Sequence, residues 1–162
     1  MRIDVEALST TWNQIDFELG HVTVVASKTL AGENRVIPLD SALLGRLKSL
    51  RAEHRAKQLV SKPQNRWNPA DLVFCTSNGN RQSYTNMQRH VLEPLLVEVG
   101  LPHLSWHHLR YNCGSYLLSE KVPITMVSKI LGHANPAITM SIYAYELKED
   151  AEQVRTAMAQ FG

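Results

Sequence analysis

Cysteine is scarce in this chain of 162 residues. Cys75 and Cys113 stand far apart and form no CxxC pair, which excludes a disulfide framework and a paired-thiol redox motif. Both read as reduced core or near-core residues. No apolar run approaches the roughly 18 residues of a membrane span. The first residues, MRIDVEALSTTW, lack the basic head and apolar centre of a secretory signal. The expectation is therefore a cytoplasmic protein with no membrane partner. Internal repeats and low-complexity segments are also missing, which excludes solenoids and tails. Carboxylates do not cluster in the manner of a two-metal nuclease. His103 and His107 are four apart, yet HExxH is absent and Leu101-Pro102 keeps the helix from starting before His103. The expectation is no metal and no cofactor.

What is present is an ordinary globular composition, 44% hydrophobic and 20% charged. The length suits one domain with a real hydrophobic core. The formal charge is only +2, but it is segregated. Arg46, Lys48, Arg51, Arg55, Lys57, Lys62 and Arg66 face a single Glu53 within residues 46–66, whereas the tail from Glu146 onward is acidic. Such segregation fits either a basic face for a polyanion or a solvated surface helix. Arg46, Arg51, Arg55, Lys57, Lys62 and Arg66 are the candidate contacts to such a polyanion.

Periodicity and punctuation give a mainly helical fold with a small three-stranded antiparallel sheet. Residues 3–12 read as a short helix ending at Trp12. HVTVVA and RVIPL are β-branched and strand-like, and the turn signals between them make a hairpin with Ser27, Lys28 and Thr29 near its tip. DLVFCTS reads as the third strand. Asp40 is a good N-cap for a helix over 41–60, with Leu43, Leu44, Leu47 and Leu50 on one stripe that weakens at His54. A helix over 84–99 contains Pro94, which predicts a kink or break. Another opens at Ser105 or His103 and runs to about Glu120. Pro123 starts a short helix that Gly132 ends, and Asn135-Pro136 starts the next, as N-cap and N1. A last helix is expected from Lys148 to about Gln160.

Two stretches could carry chemistry. In WHHLRYN, His107 and Arg110 are three apart on one helix face. Burying this pair requires partners, and an anionic ligand is one solution; a surface pair or a structural salt bridge are the others. In LGHANPAITMSIYAY, His133 lies in the connector between two helices. Tyr143 and Tyr145 point to different sides of a helix, so at most one faces any given site.

Taken in order, these stretches resemble the tyrosine recombinase (phage integrase) family. HxxR is followed by LGH about twenty residues on, and by a tyrosine ten residues after that histidine. WHHLRYNCGSYLL resembles the family's HxLRH stretch, with Tyr111 where histidine is common. Arg2 followed by EALSTTWNQIDFELGHVTV resembles its RxxE segment, with Arg2 four residues before Glu6 instead of three. SKTLAGENRVIPL resembles its β-hairpin, whose tip carries a catalytic lysine. The resemblance spans essentially the whole chain. It implies the catalytic-domain fold of a DNA breaking-rejoining enzyme, and a site-specific recombinase that cuts and rejoins DNA through a 3′-phosphotyrosyl intermediate without metal or ATP. Tyr143 would be the nucleophile, Arg2 and Arg110 the clamps on the non-bridging oxygens, and Lys28 the general acid. His107 would assist proton transfer, and His133 would hydrogen-bond the phosphate. The alternatives are a truncated remnant that only binds DNA, and type IB topoisomerase-like relaxation.

The resemblance further implies double-stranded DNA as partner, a homo-oligomer that is tetrameric on DNA, and possible accessory DNA-bending proteins. An apolar stripe on the last helix, Leu147, Ala151, Val154 and Met158, would suit docking on a neighbour or on its own domain. Residues 1–162 are expected to form a single catalytic domain, shortened at its N-terminus relative to the family and without core-binding and arm-binding domains. Leu8 and Trp12 are then expected to be left uncovered, favouring weak self-association.

Overall fold

The computed structural model describes residues 1–62, 66–143 and 158–159. Tyr145 and most of the expected last helix lie outside the described residues. Three short strands, β1 (Ile15–Asp16), β2 (His21–Val24) and β3 (Arg35–Pro38), form an antiparallel sheet in the order β1-β2-β3. The helices are α1 (Ser41–Val60), α2 (Tyr84–Met87), α3 (Glu93–Glu98), α4 (Trp106–Ser119), α5 (Ile124–Leu131) and α6 (Pro136–Ile142). The β2–β3 pairing sets Val22 opposite Ile37 and Val24 opposite Arg35. The connection between them carries Lys28 and a 3₁₀ turn at Leu30–Gly32.

Two expectations near the start of the chain fail for one shared reason. Residues 3–12 form no α-helix, only turns and a 3₁₀ turn at Ala7–Ser9. DLVFCTS does not join the sheet, and the third strand is Ile15–Asp16. The two segments satisfy each other's backbone instead. Val73 N donates to Thr10 O at 2.9 Å, and Trp12 N donates to Asp71 O at 3.1 Å. A backbone that can pair with a distant segment has no need of a helix of its own. This pairing also buries Leu8 and Trp12, at 1% and 2% exposure, so neither is uncovered as expected.

Trp12 anchors the first core, with Ile15, Val22, Leu47 and Val73. On α1, capped by the Asp40 side chain accepting from Leu43 N, Leu47 is buried while Leu43 is exposed. The inward stripe does not weaken at His54. That imidazole is buried, and its Nδ1 accepts from Trp12 Nε1 at 3.2 Å. It also meets Trp67 edge-on. A polar residue continues an apolar stripe here because its one buried acceptor is satisfied.

The second core joins α4, α5 and α6 through Leu118, Val127, Leu131 and Tyr143. Between the cores, α2 and α3 are separated by a π-helical turn at Gln88–Leu92 just before Pro94. Pro94 cannot donate to the preceding turn, and a locally widened helix accommodates that. Cys75 and Cys113 are free; Cys75 is half-buried and Cys113 is exposed, so the second is not the core residue expected.

Glu6 and Arg35 hold the two cores together. Arg35 Nη2 donates to Glu6 Oε2 at 2.6 Å, and both side chains are buried. Arg35 Nε reaches Ile130 O on α5 at 3.0 Å, and Nη1 bonds Gly32 O. Thr29 Oγ1 donates to Gly132 O at 3.1 Å. Gly132 ends α5 at φ +70°, and a Cβ there would meet Gly32 Cα at 2.9 Å and the Arg35 guanidinium at 3.0 Å. Only glycine fits both the left-handed backbone and the close approach.

Burial alone would raise the Glu6 carboxyl, but hydrogen bonds from the Arg35 side chain, the Arg2 amide and Ser27, with the Arg35 charge, hold it at about 2. The unfolded chain takes up this proton near pH 4.5. The contribution, about 3 kcal/mol, is therefore complete above that pH and lost as pH falls towards 2. Glu6→Gln should lower unfolding free energy at pH 7 by roughly 3–5 kcal/mol, because it strands a buried guanidinium. Urea titrations across pH should also show a flatter acid limb in the variant than in the parent.

Candidate active site between the hairpin and the C-terminal helices

The seam held by Glu6 and Arg35 opens into a cleft of about 350 Å³. Five of the six candidate catalytic residues line it: Arg2, Lys28, His107, Arg110 and His133. They come from four places in the fold: the N-terminal turn, the hairpin tip, the first turns of α4, and the residue after the α5 cap. Asp4 is the carboxylate on the same lining, and Arg81 Nη2 already engages its Oδ1 at 3.2 Å.

Arg2 sits four residues before Glu6, and the chain between them closes as a helical turn. Glu6 N and Ala7 N donate to Arg2 O at 3.2 and 3.0 Å. Arg2 Nη1 then reaches Glu6 Oε1 at 3.0 Å and Ser27 Oγ at 3.2 Å. The spacing therefore brings the guanidinium to the cleft by the i, i+4 rule.

Arg110 is half-buried. Its Nη2 bonds Leu131 O, while its buried Nη1 has no partner among the described residues. Burial first, then the charges of Arg2 and Arg35, lower its pKa; Glu6 and Tyr143 act in the opposite sense. The adjacent histidine is affected in the same way. Burial, followed by Arg110, Arg2 and Arg35, lowers the His133 pKa and favours its neutral form. His107 is exposed at the mouth, and Lys28 is an exposed side chain at the hairpin tip. A cleft with this balance of charge, and a desolvated guanidinium nitrogen without a partner, is built for an anion of phosphate type.

Tyr143 does not line the cleft. It is the C-cap of α6, and only 2% of it is exposed. Its ring stacks on Tyr111 at 4.9 Å between centroids. Its phenol lies against Gly114 on α4, where a methyl group would collide with it. One helical turn separates Gly114 from Arg110, and the phenol is close enough to influence the Arg110 charge.

None of the six candidate DNA contacts lines the cleft. Arg46, Arg55, Lys62 and Arg66 are exposed. Arg51 lies over Trp12 and Phe17 at 5.9 and 5.3 Å, and Lys57 over Trp67 at 5.2 Å, so these two cations also serve to cover aromatic rings. Sequence reasoning missed three residues that shape the site: Arg35, Gly114 and Thr139. Arg35 had a signal, a charge inside a strand pattern otherwise filled by Val36 and Ile37. Gly114 had one too, a glycine within a helix with no turn to make.

Comparison with known proteins agrees with the fold. A sequence model described as the phage integrase family matches residues 1–150. The chain is 27% identical over 175 residues to a tyrosine recombinase XerC-like protein of Caldanaerobacter subterraneus subsp. tengcongensis, covering 93% of this chain and 44% of that protein. It is 29% identical over 150 residues to tyrosine recombinase XerC of Bacillus subtilis, covering 92% and 46%. The chain thus spans about half the length of these relatives. Among solved structures, XerA recombinase superimposes with a TM-score of 0.70 at 21% identity, covering 93% of this chain and 52% of the other. The Tn1549 transposon integrase in complex with transposon right end DNA gives 0.73 at 20% identity, covering 98% and 55%. These similarities establish a shared fold.

The stacked, buried setting of Tyr143 can be checked chemically. Tetranitromethane should nitrate the exposed Tyr116 readily and leave Tyr143 largely unmodified. Tyr111→Ala should uncover Tyr143 and raise its nitration several-fold by peptide mass mapping, with a loss of about 1 kcal/mol in stability from the missing ring pair.

Proposed function

This chain belongs to the phage integrase family, whose sequence model spans residues 1–150, and from that premise we propose that it is the catalytic domain of a site-specific DNA recombinase. It would cut and rejoin double-stranded DNA through a 3′-phosphotyrosyl intermediate. The observation that carries this reading is the buried Arg110 Nη1, without a protein partner among the described residues, in a cleft it shares with Arg2, Lys28, His107 and His133. Family membership supports a homotetramer on DNA as the working assembly.

In the proposed reaction the Tyr143 oxygen attacks the scissile phosphorus. The bond from phosphorus to the 5′-oxygen breaks, and Lys28 delivers a proton to that leaving oxygen. Arg2 and Arg110 bind the non-bridging oxygens and follow their charge into the pentacoordinate transition state. His133 donates a hydrogen bond to the same phosphate, and His107 assists proton transfer at the cleft mouth by taking up the proton that the phenol loses. The phosphotyrosyl ester retains the bond energy, so rejoining consumes no nucleotide. Tyrosine, with an ordinary pKa near 10, is a weak nucleophile until positive charge favours its phenolate. Arg110, one helical turn from Gly114 and electrostatically coupled to Tyr143, is such a source. Because Tyr143 lies outside the cleft lining, attack requires its phenol to leave the seat at Gly114 and swing towards Arg110. The basic outer face of α1 would hold flanking phosphates, which position the duplex without reading its sequence.

A duplex nicked next to the scissile phosphate traps the intermediate, because the short strand diffuses away. The parent chain should give a covalent protein–DNA adduct on denaturing gels, Tyr143→Phe none, and Arg110→Ala roughly 10²–10³-fold less per unit time. Binding without any adduct would instead support a DNA-binding remnant. Binding should weaken with salt, and Arg46→Ala or Arg55→Ala should each reduce the log–log salt slope by about 1.

A further inference from the structure

We propose that Thr139 is a positioning residue for His133: its hydroxyl donates to Nδ1, fixes the imidazole as the Nε2–H tautomer, and so makes a neutral histidine a hydrogen-bond donor to the anion in the cleft. The inference rests on the proposed function only for what the donor acts upon. His133 Nδ1 and Thr139 Oγ1 are 2.7 Å apart, a full hydrogen bond. Thr139 is 0% exposed, and its hydroxyl has no second partner among the described residues. A helical threonine commonly turns its hydroxyl back to the carbonyl of the preceding turn. This one is turned to the histidine instead.

The tautomer matters because of the charges around the ring. His133 faces Arg110 from α4, Arg35 from β3 and Arg2 from the N-terminal turn. Lys28 from the hairpin tip and His107 from α4 line the same cleft, with Asp4 across it. Burial, then the charges of Arg110, Arg2 and Arg35, disfavour the imidazolium, and a neutral imidazole has one donor nitrogen and one acceptor. With Nδ1–H, the ring would aim a lone pair into the cleft and repel a phosphate oxygen. With Nε2–H, it donates. A buried hydroxyl beside Nδ1 can supply the proton that selects the second form. Thr139 also accepts from Tyr143 N through its carbonyl at 3.0 Å, so one residue of α6 ties the histidine to the residue proposed as nucleophile.

Long-range ¹H–¹⁵N spectra of the free full chain report the tautomer directly. At pH 7 the parent should show His133 protonated at Nε2 with Nδ1 bare, Thr139→Ser should keep that pattern, and Thr139→Val should lose it to a mixture. On the nicked duplex, Thr139→Val should form adduct roughly 10-fold more slowly, the scale for removing a group that orients a histidine, while Thr139→Ser stays near the parent rate. The ratio of Thr139→Val to parent should rise towards one as pH falls and the imidazolium supplies Nε2–H without help. An Nδ1–H tautomer in the parent, or an unchanged tautomer in folded Thr139→Val, overturns the proposal. If the parent forms no adduct, the proposed function fails while the tautomer measurement still decides the role of Thr139.

Discussion

The buried pair between Glu6 and Arg35 is the constraint on which this structure depends. An isolated buried charge is costly, and even a paired one gains little unless its remaining hydrogen-bonding groups are satisfied. Here they are. Arg35 distributes its donors among Glu6, Gly32 and Ile130, and Glu6 accepts from Arg35, Arg2 and Ser27. Those partners belong to the N-terminal turn, the hairpin and the end of α5. One satisfied network therefore fixes the three pieces whose edges make the cleft. Glycine at 132 follows from it, because any larger residue would push the Arg35 guanidinium off its partners.

The same pair shapes the electrostatics of the cleft. Glu6 pairs with the Arg2 guanidinium at 3.0 Å as well as with Arg35 at 2.6 Å. Because Arg35 takes one oxygen of Glu6 and Arg2 the other, Arg110 is left without a carboxylate partner among the described residues. The excess charge falls on that arginine, the half-buried one, where desolvation makes each interaction stronger than it would be in water. A cleft that keeps positive charge next to a neutral histidine can follow an oxyanion with fixed groups and little reorganisation.

Much of this was legible in the sequence because it depends on local spacing. The caps at Asp40, Ser105 and Asn135, the stop at Gly132 and the hairpin all follow from residue types at fixed offsets. So does the meeting of His107 and Arg110 on one face. The mainly helical fold and three-stranded sheet also agree, although the sheet recruits Ile15–Asp16 and not DLVFCTS. What escaped depends on contacts between distant segments. Nothing local says that Thr10 and Trp12 will share backbone bonds with Asp71 and Val73, which leaves turns and a 3₁₀ turn where a helix is predicted. Nothing local says that His54 will find Trp12. The separation of Tyr143 from the five cleft residues is of the same kind, since a ten-residue spacing fixes its place in the chain but not which way its ring turns.

That orientation has a chemical logic under the proposed function. A phenol exposed beside three guanidiniums would be partly activated at all times, open to stray electrophiles. Packed against Gly114 and covered by Tyr111, it is kept out of water. The cost of moving it is then met only when something better than that packing is offered, and a phosphodiester bound by Arg110 and His133 would be such a thing. Thr139 is well placed to link the two events. Its hydroxyl holds His133 and its carbonyl holds the backbone of Tyr143, so the donor to the phosphate and the backbone that carries the phenol are anchored on one residue of α6.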